Sequence, residues 1–271
     1  MKEYVKELIA GIPNMLTQRS MVREYLQARI LQAIQESGAF LNWAFLGGTS
    51  LRFLYNLPRY SEDLDFAVQN PGTACRFAEV MRNIKSQFEA ENYLVDIKVS
   101  SPRTVMSAFV KFPGLLHTLG LSPYDTESLA IKVEIDTNPP DGAVCVTKVV
   151  RRYVTVQVLH YDKASLLAGK LHAILNRTYT KGRDIYDFVW YLSDSSWPSP
   201  NYQLLNAAMR QTGWQGEEIN QEVLRKVLLR RIEEMNFNSV LADVRPFLER
   251  PQDAVLLTRE NCMQLTDQKF S

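Results

Sequence analysis

The sequence predicts an α+β protein, a mixed sheet with flanking helices followed by a helical C-terminal half. Three observations carry that expectation. Residues 45–68 read as strand, glycine turn, helix, loop and strand in quick succession. Residues 129–136 alternate apolar and polar side chains, and residues 144–159 are rich in Val and Thr, both marks of further strands. From about His160 the apolar residues recur at helical spacing almost to the end. The composition shifts there, so the chain divides into residues 1–160 and residues 161–271.

Taken in order, residues 1–38 read as two helices broken near Gly11 and Pro13, the second with an apolar stripe of Tyr25, Leu26, Ile30 and Ile34. Residues 43–46 are an apolar strand. Gly47 and Gly48 turn the chain, Thr49 can cap a helix with Leu51, Leu54 and Tyr55 on one face, and Pro58 stops it. In the next strand Asp63, Asp65 and Ala67 face one way and Leu64, Phe66 and Val68 the other. Asn70-Pro71-Gly72 is a turn, and residues 77–88 look helical. Two strands at 93–99 and 104–112 are separated by a Ser-Ser-Pro turn at 100–102, and a looser segment covers 117–124. In the 129–136 strand, Ile131, Val133 and Ile135 oppose Lys132, Glu134 and Asp136, and Thr137-Asn138-Pro139-Pro140 ends it.

In the second half Asp162 can cap a helix over 163–177. Leu167, Leu171, Ile174 and Leu175 form its apolar stripe, bordered by Lys163, Lys170 and Arg177. A second helix begins near Arg183, with Ile185, Phe188, Val189 and Leu192 inward and Asp184 and Asp187 flanking them. A Ser/Pro-rich break at 193–200 precedes further helices, one with Leu224, Val227, Leu228 and Ile232 on one face. After Pro251 the periodicity weakens and the tail is expected to fray.

The chain has 271 residues and a net charge of +1, so any nucleic-acid contact must come from a local patch. Its three cysteines are far apart and odd in number, which argues against a disulfide framework or a zinc site. No apolar run is long enough to span a bilayer, and the N-terminus is too charged for a signal peptide, so the expected location is the cytoplasm.

Chemistry concentrates in residues 45–68. Asp63 and Asp65 stand side by side on one strand face, and paired carboxylates attract Mg²⁺, an ion that keeps water and binds nucleotide phosphates. Backbone N–H groups of the Gly47-Gly48 turn and the helix start can take phosphate oxygens. The plainer reading is a strand end with two solvated aspartates. Lys170, Arg177, Arg183, Asp184 and Asp187 form a second constellation, whose plainer reading is a helix-surface ion pair with a snorkelling lysine.

Residues 45–68 resemble the nucleotidyltransferase superfamily signature of the polymerase β-like fold, a glycine turn followed by Asp-x-Asp. More narrowly the chain is similar to the AbiEii/AbiGii toxin family, through Gly47, Gly48, Thr49, Leu51, Arg52, Arg59, Ser61, Asp63, Leu64, Asp65 and Phe66. Lys170 and the Arg183-Asp184…Asp187 stretch resemble that family's C-terminal motif, with Phe188 in place of the usual leucine. The Lys-Val-Glu-Ile strand resembles another family motif and picks out Glu134 as third carboxylate, with Asp136 as the alternative.

The resemblance implies an Mg²⁺-dependent nucleotidyltransferase acting in a cleft between the two halves. It transfers NMP from NTP to an acceptor hydroxyl, with the 3′ end of tRNA as the implied acceptor. Asp63, Asp65 and Glu134 would hold metal. Gly47, Gly48, Thr49, Arg52, Arg59, Ser61, Arg177, Arg183 and Asp184 would bind nucleotide, and Lys170 and Asp187 would act in catalysis. It also implies a toxin of a toxin–antitoxin or abortive-infection system with a separate antitoxin. The alternatives are nucleotide transfer to a small molecule such as an antibiotic, and an inactive binding module of the same fold.

Overall fold

The computed structural model describes residues 2–100 and 104–271, so the turn expected at 100–102 lies, beyond Ser100, outside the described residues. The elements run α1 (Lys2–Ile9), α2 (Met15–Glu36), β1 (Trp43–Leu46), α3 (Gly47–Tyr55), β2 (Leu64–Val68), α4 (Phe77–Ala90), β3 (Asp96–Ser100), β4 (Val105–Pro113), α5 (Leu115–Thr118), β5 (Ser128–Asp136), β6 (Cys145–Arg152) and β7 (Val154–Tyr161). Six helices follow: α6 (Lys163–Asn176), α7 (Gly182–Leu192), α8 (Tyr202–Gln211), α9 (Gln221–Glu233), α10 (Phe237–Val244) and α11 (Arg259–Phe270). No helix among the described residues is long and apolar enough to cross a membrane.

The α+β expectation holds. Among the described residues seven strands form one mixed sheet in the order β3-β4-β5-β2-β1-β7-β6. β1 pairs antiparallel with β2 and parallel with β7; β2 pairs parallel with β5, which pairs antiparallel with β4. Two compact units emerge. One comprises Met1–Asn56, Tyr60–Pro139 and Thr147–His160; the other comprises Leu57–Arg59, Pro140–Val146 and Tyr161–Ser271.

In the first unit the apolar stripe of α2 and the inner face of α4 pack on one side of the sheet. Leu26, Ile30, Ile34, Phe66, Ile131, Val133 and Ile135 are all at least 98% buried in that layer. Burial of such side chains contributes roughly 1.5–3 kcal/mol each before conformational entropy is subtracted. Because the strands alternate, the opposite sheet face carries the polar set: Lys132, Glu134 and Asp136 on β5 are each half-buried.

Three local expectations are corrected. Helix α3 begins at Gly47, so Thr49 sits inside its first turn and does not cap it. That helix ends at Tyr55 because Asn56 takes a left-handed conformation (φ 58°), two residues before Pro58 can act. The Val/Thr-rich stretch forms strands as expected, β6 and β7, separated where Tyr153 turns left-handed (φ 34°). The tail does not fray into coil. Thr258 caps α11 by accepting the Asn261 N–H at 3.1 Å, and Cys262, Thr266 and Phe270 are buried along one side of that helix.

Candidate functional site

The first group of side chains lies on the polar face of the sheet. Gly47 has φ 81°, a conformation that favours glycine, and a Cβ there would collide with the Asp65 carboxylate. The first residue of the turn is therefore glycine for both backbone and space, and the result brings Asp65 against the N-terminal end of α3. The loop leading to Asp63 is fixed from two sides. The buried Gln27 amide donates to the carbonyls of Ser61 and Glu62 at 3.1 and 2.9 Å, and the Thr49 hydroxyl donates to the Asp63 carbonyl. Thr49 and Ser61 thus take part in the local architecture that holds the carboxylates.

The β2–β5 register sets Asp65 directly opposite Glu134 and Ala67 opposite Asp136. Residues opposed across two strands project to the same face with Cβ atoms about 5 Å apart. Asp136 is one pair further along; its Oδ1 accepts the Asn138 N–H at 2.9 Å at the strand end. Burial pushes the Asp136 carboxyl above its ordinary pKa, partly offset by that hydrogen bond. Lys132, which the sequence places on this strand face without a role of its own, extends an ammonium to within 2.8 Å of Glu134 Oε1. Its pKa is raised, first by that bond and then by the fields of Glu134, Asp63 and Asp65. The alternation that puts Lys132 and Glu134 on one face is legible in the sequence; the ion pair between them is not.

These carboxylate oxygens are hard donors of the kind Mg²⁺ takes. A cation already stands among them, supplied by Lys132. Among the described residues no three His, Cys, Asp or Glu side chains close on a common point as a ready metal cage.

The second group belongs to the helical unit and is buried. Arg59 grips Asp187 with both arms of its guanidinium, Nε and Nη2 each 2.6 Å from a carboxylate oxygen. Lys170 Nζ lies 2.7 Å from Asp187 Oδ2 and 2.8 Å from Asp184 Oδ1, and Arg177 reaches Asp184 Oδ2 at 2.6 Å. Three cations therefore enclose two carboxylates. Burial opposes the charge on Lys170, but Asp184 and Asp187 outweigh it and raise its pKa. Burial likewise opposes ionisation of Asp184, and Lys170, with Arg177 and Lys181, overrides it and holds the carboxyl at about 2. Gly182 opens α7 where a Cβ would strike the Val240 carbonyl, which seats the first turn of α7 tightly on α10. Arg183, expected in the same cluster, stacks 4.1 Å over the Phe247 ring.

The two motif arginines near the carboxylates both turn inward. Arg59 is held by Asp187, and Arg52, 2% exposed, pairs with the buried Glu24 of α2. Arg152 Nε and the Tyr153 hydroxyl also bind Glu24, each at 2.9 Å. Nothing in the sequence marks Glu24 as a partner, since it sits on a helix with no motif around it. His172 Nε2 bonds Thr212 Oγ1 at 3.0 Å.

Comparison with known proteins identifies a family and a fold. A family model described as "Nucleotidyl transferase AbiEii toxin, Type IV TA system" matches residues 29–259. A search of curated proteins returned no match. Among solved structures, a putative nucleotidyltransferase from H. pylori is similar with a TM-score of 0.55 and 17% identity over 92% of this chain and 96% of that one. JHP933 from Helicobacter pylori is similar with a TM-score of 0.54 and 18% identity over 92% and 93%. At such identities the two structures speak for the fold.

Proposed function

The chain belongs to the AbiEii family of nucleotidyltransferase toxins of type IV toxin–antitoxin systems, and from that premise we propose that it carries out Mg²⁺-dependent nucleotidyl transfer to the 3′ end of a tRNA. The acceptor hydroxyl loses its proton and its oxygen bonds to the α-phosphorus of an NTP. The bond from that phosphorus to the bridging oxygen breaks and pyrophosphate leaves. The observation that carries the reading is the pairing of Asp65 with Glu134 beside the glycine turn that opens α3.

In this reading Asp63 and Asp65 hold the metal and Glu134 completes the set, drawing the proton from the acceptor hydroxyl. Mg²⁺, when bound, supplies charge neutralisation on the phosphates and acidifies the hydroxyl. The N–H groups of Gly47 and Gly48 at the helix start bind phosphate oxygens. Lys170 offsets charge on the triphosphate as pyrophosphate departs, held ready by Asp184 and Asp187. Arg52 and Arg59, both engaged by buried carboxylates, serve as positioning residues in place of phosphate contacts. The cognate antitoxin is a separate protein, and the reaction belongs in the cytoplasm, where NTP and tRNA are found.

The test is incubation of purified protein with each α-labelled NTP, Mg²⁺ and total RNA. Label on tRNA-sized species, absent with Asp65→Ala, is the expected outcome. Label found only on an added small-molecule acceptor such as an aminoglycoside would move the substrate class; no label with any NTP would remove the enzymatic reading.

A further inference from the structure

We propose that Lys132 is a tethered counter-ion for the β2–β5 carboxylates, one that a divalent cation must displace in order to bind. This rests on the metal-dependent reading above and goes beyond it, because it assigns a role to a residue outside the metal and nucleotide sets. The ammonium is 2.8 Å from Glu134 Oε1, and Asp65 is level with Glu134 on the neighbouring strand. Like charges that share a ledge disfavour one another, and one ammonium among them relieves that repulsion. A divalent ion arriving at the same oxygens would face a fixed positive charge a few ångströms away, a repulsion large enough to weaken binding about tenfold.

The side chain has somewhere to go. Register sets Lys132 opposite Phe109 of β4, and Nζ lies 5.9 Å from the centroid of that ring, which is 41% exposed. A four-carbon stem lets the ammonium swing from the carboxylate towards the ring face and solvent, where a cation is tolerated. Lys132 is thus a positioning residue with two resting places. It keeps the carboxylates compensated without metal and withdraws when metal arrives.

The probe is Mn²⁺, titrated into the full chain without nucleotide, with the free ion followed by electron paramagnetic resonance. Lys132→Met is expected to bind Mn²⁺ about tenfold more tightly than the unaltered protein. Lys98→Met removes the same charge two strands away on the same face, since Lys98 is opposite Phe109, and should change affinity less than about twofold. Equal or weaker binding by Lys132→Met overturns the proposal, as does an equal gain in Lys98→Met, which would mark a general field effect. Asp65→Asn should weaken binding at least about tenfold; if it does not, the metal site itself falls and the proposal with it. Should Lys132→Met fail to fold, the unaltered protein still decides. Reductive methylation of Lys132, read by peptide mass spectrometry, should accelerate several-fold on saturation with Mn²⁺, and an unchanged rate overturns the displacement.

Discussion

The carboxylates of β2 and β5 and those of α7 contrast in their surroundings. Glu134 is 29% exposed and shares a lysine that is itself 31% exposed, on a sheet face that carries polar side chains. Asp187 is wholly buried and gripped on both oxygens by Arg59, which is 2% exposed, with Lys170 added. Removing a partner from the second group leaves a charge where water cannot reach it, whereas removing one from the first leaves a charge that water can largely solvate. The lesson is that residues of one family's motifs can sit in opposite environments, some within reach of water and others closed in by ion pairs.

The largest expected effect tests the accessible side. Asp65→Ala should lower nucleotide transfer to background while changing unfolding free energy by less than about 1 kcal/mol, the scale of a carboxylate at a helix start. A large fall in the denaturation midpoint would erase the contrast. Next comes the enclosed side. Arg59→Ala should destabilise the protein by about 3–5 kcal/mol, measured by urea unfolding, because Asp187 is left buried and under-compensated. Replacing Arg59 and Asp187 together with leucine should recover much of that loss without restoring activity. Recovery of both would assign Asp187 a purely structural role.

Lys170 sits on the boundary of the comparison. Its two ion pairs rule out the snorkelling description, yet the proposed chemistry needs its charge. Lys170→Ala should reduce turnover per folded molecule about 100-fold. Full turnover in the folded fraction would move it wholly to the structural side.

Acid offers a smaller effect. Asp184 titrates at about 2 when folded against an ordinary 3.8. A depressed folded pKa contributes stability that is present above the unfolded value and lost as pH falls through the folded one. Stability should therefore drop by about 2 kcal/mol between pH 4 and 2 on account of this group. Asp184→Asn should remove that part of the acid sensitivity in unfolding curves taken across the window. The smallest effect is Asp136→Asn, expected to keep most activity, because Asp136 is level with Ala67 and not with Asp65. An inactive Asp136→Asn with an active Glu134→Gln would transfer the third-carboxylate role.

Much of the accessible group is legible in the sequence because it is local. Turn, helix and alternating strand fit within residues 45–68, and alternation alone puts Asp63 and Asp65 on one face. The level of Glu134 against Asp65 is another matter. It is set by parallel pairing between strands far apart in the chain, which spacing does not reveal. The enclosed group is harder still. Arg59 and Asp187 are each conspicuous in a motif, but that one binds the other with both arms appears only in three dimensions. The tail misleads for a simpler reason. Its buried stripe is Cys262, Thr266 and Phe270, one residue per turn with a threonine in the middle, too narrow and too polar to register as a pattern.

The grip of Arg59 on Asp187 also sets a clock. The partners are 128 residues apart, so a ribosome adding about 5–20 residues per second makes Asp187 roughly 6–26 s after Arg59. Through that interval the arginine has no access to its final partner, and the segment Leu57–Arg59 cannot take its finished place in the helical unit. A growing chain of this toxin is thus expected to stay unfinished at this point until Asp187 has been synthesised, however early its carboxylate strand has formed.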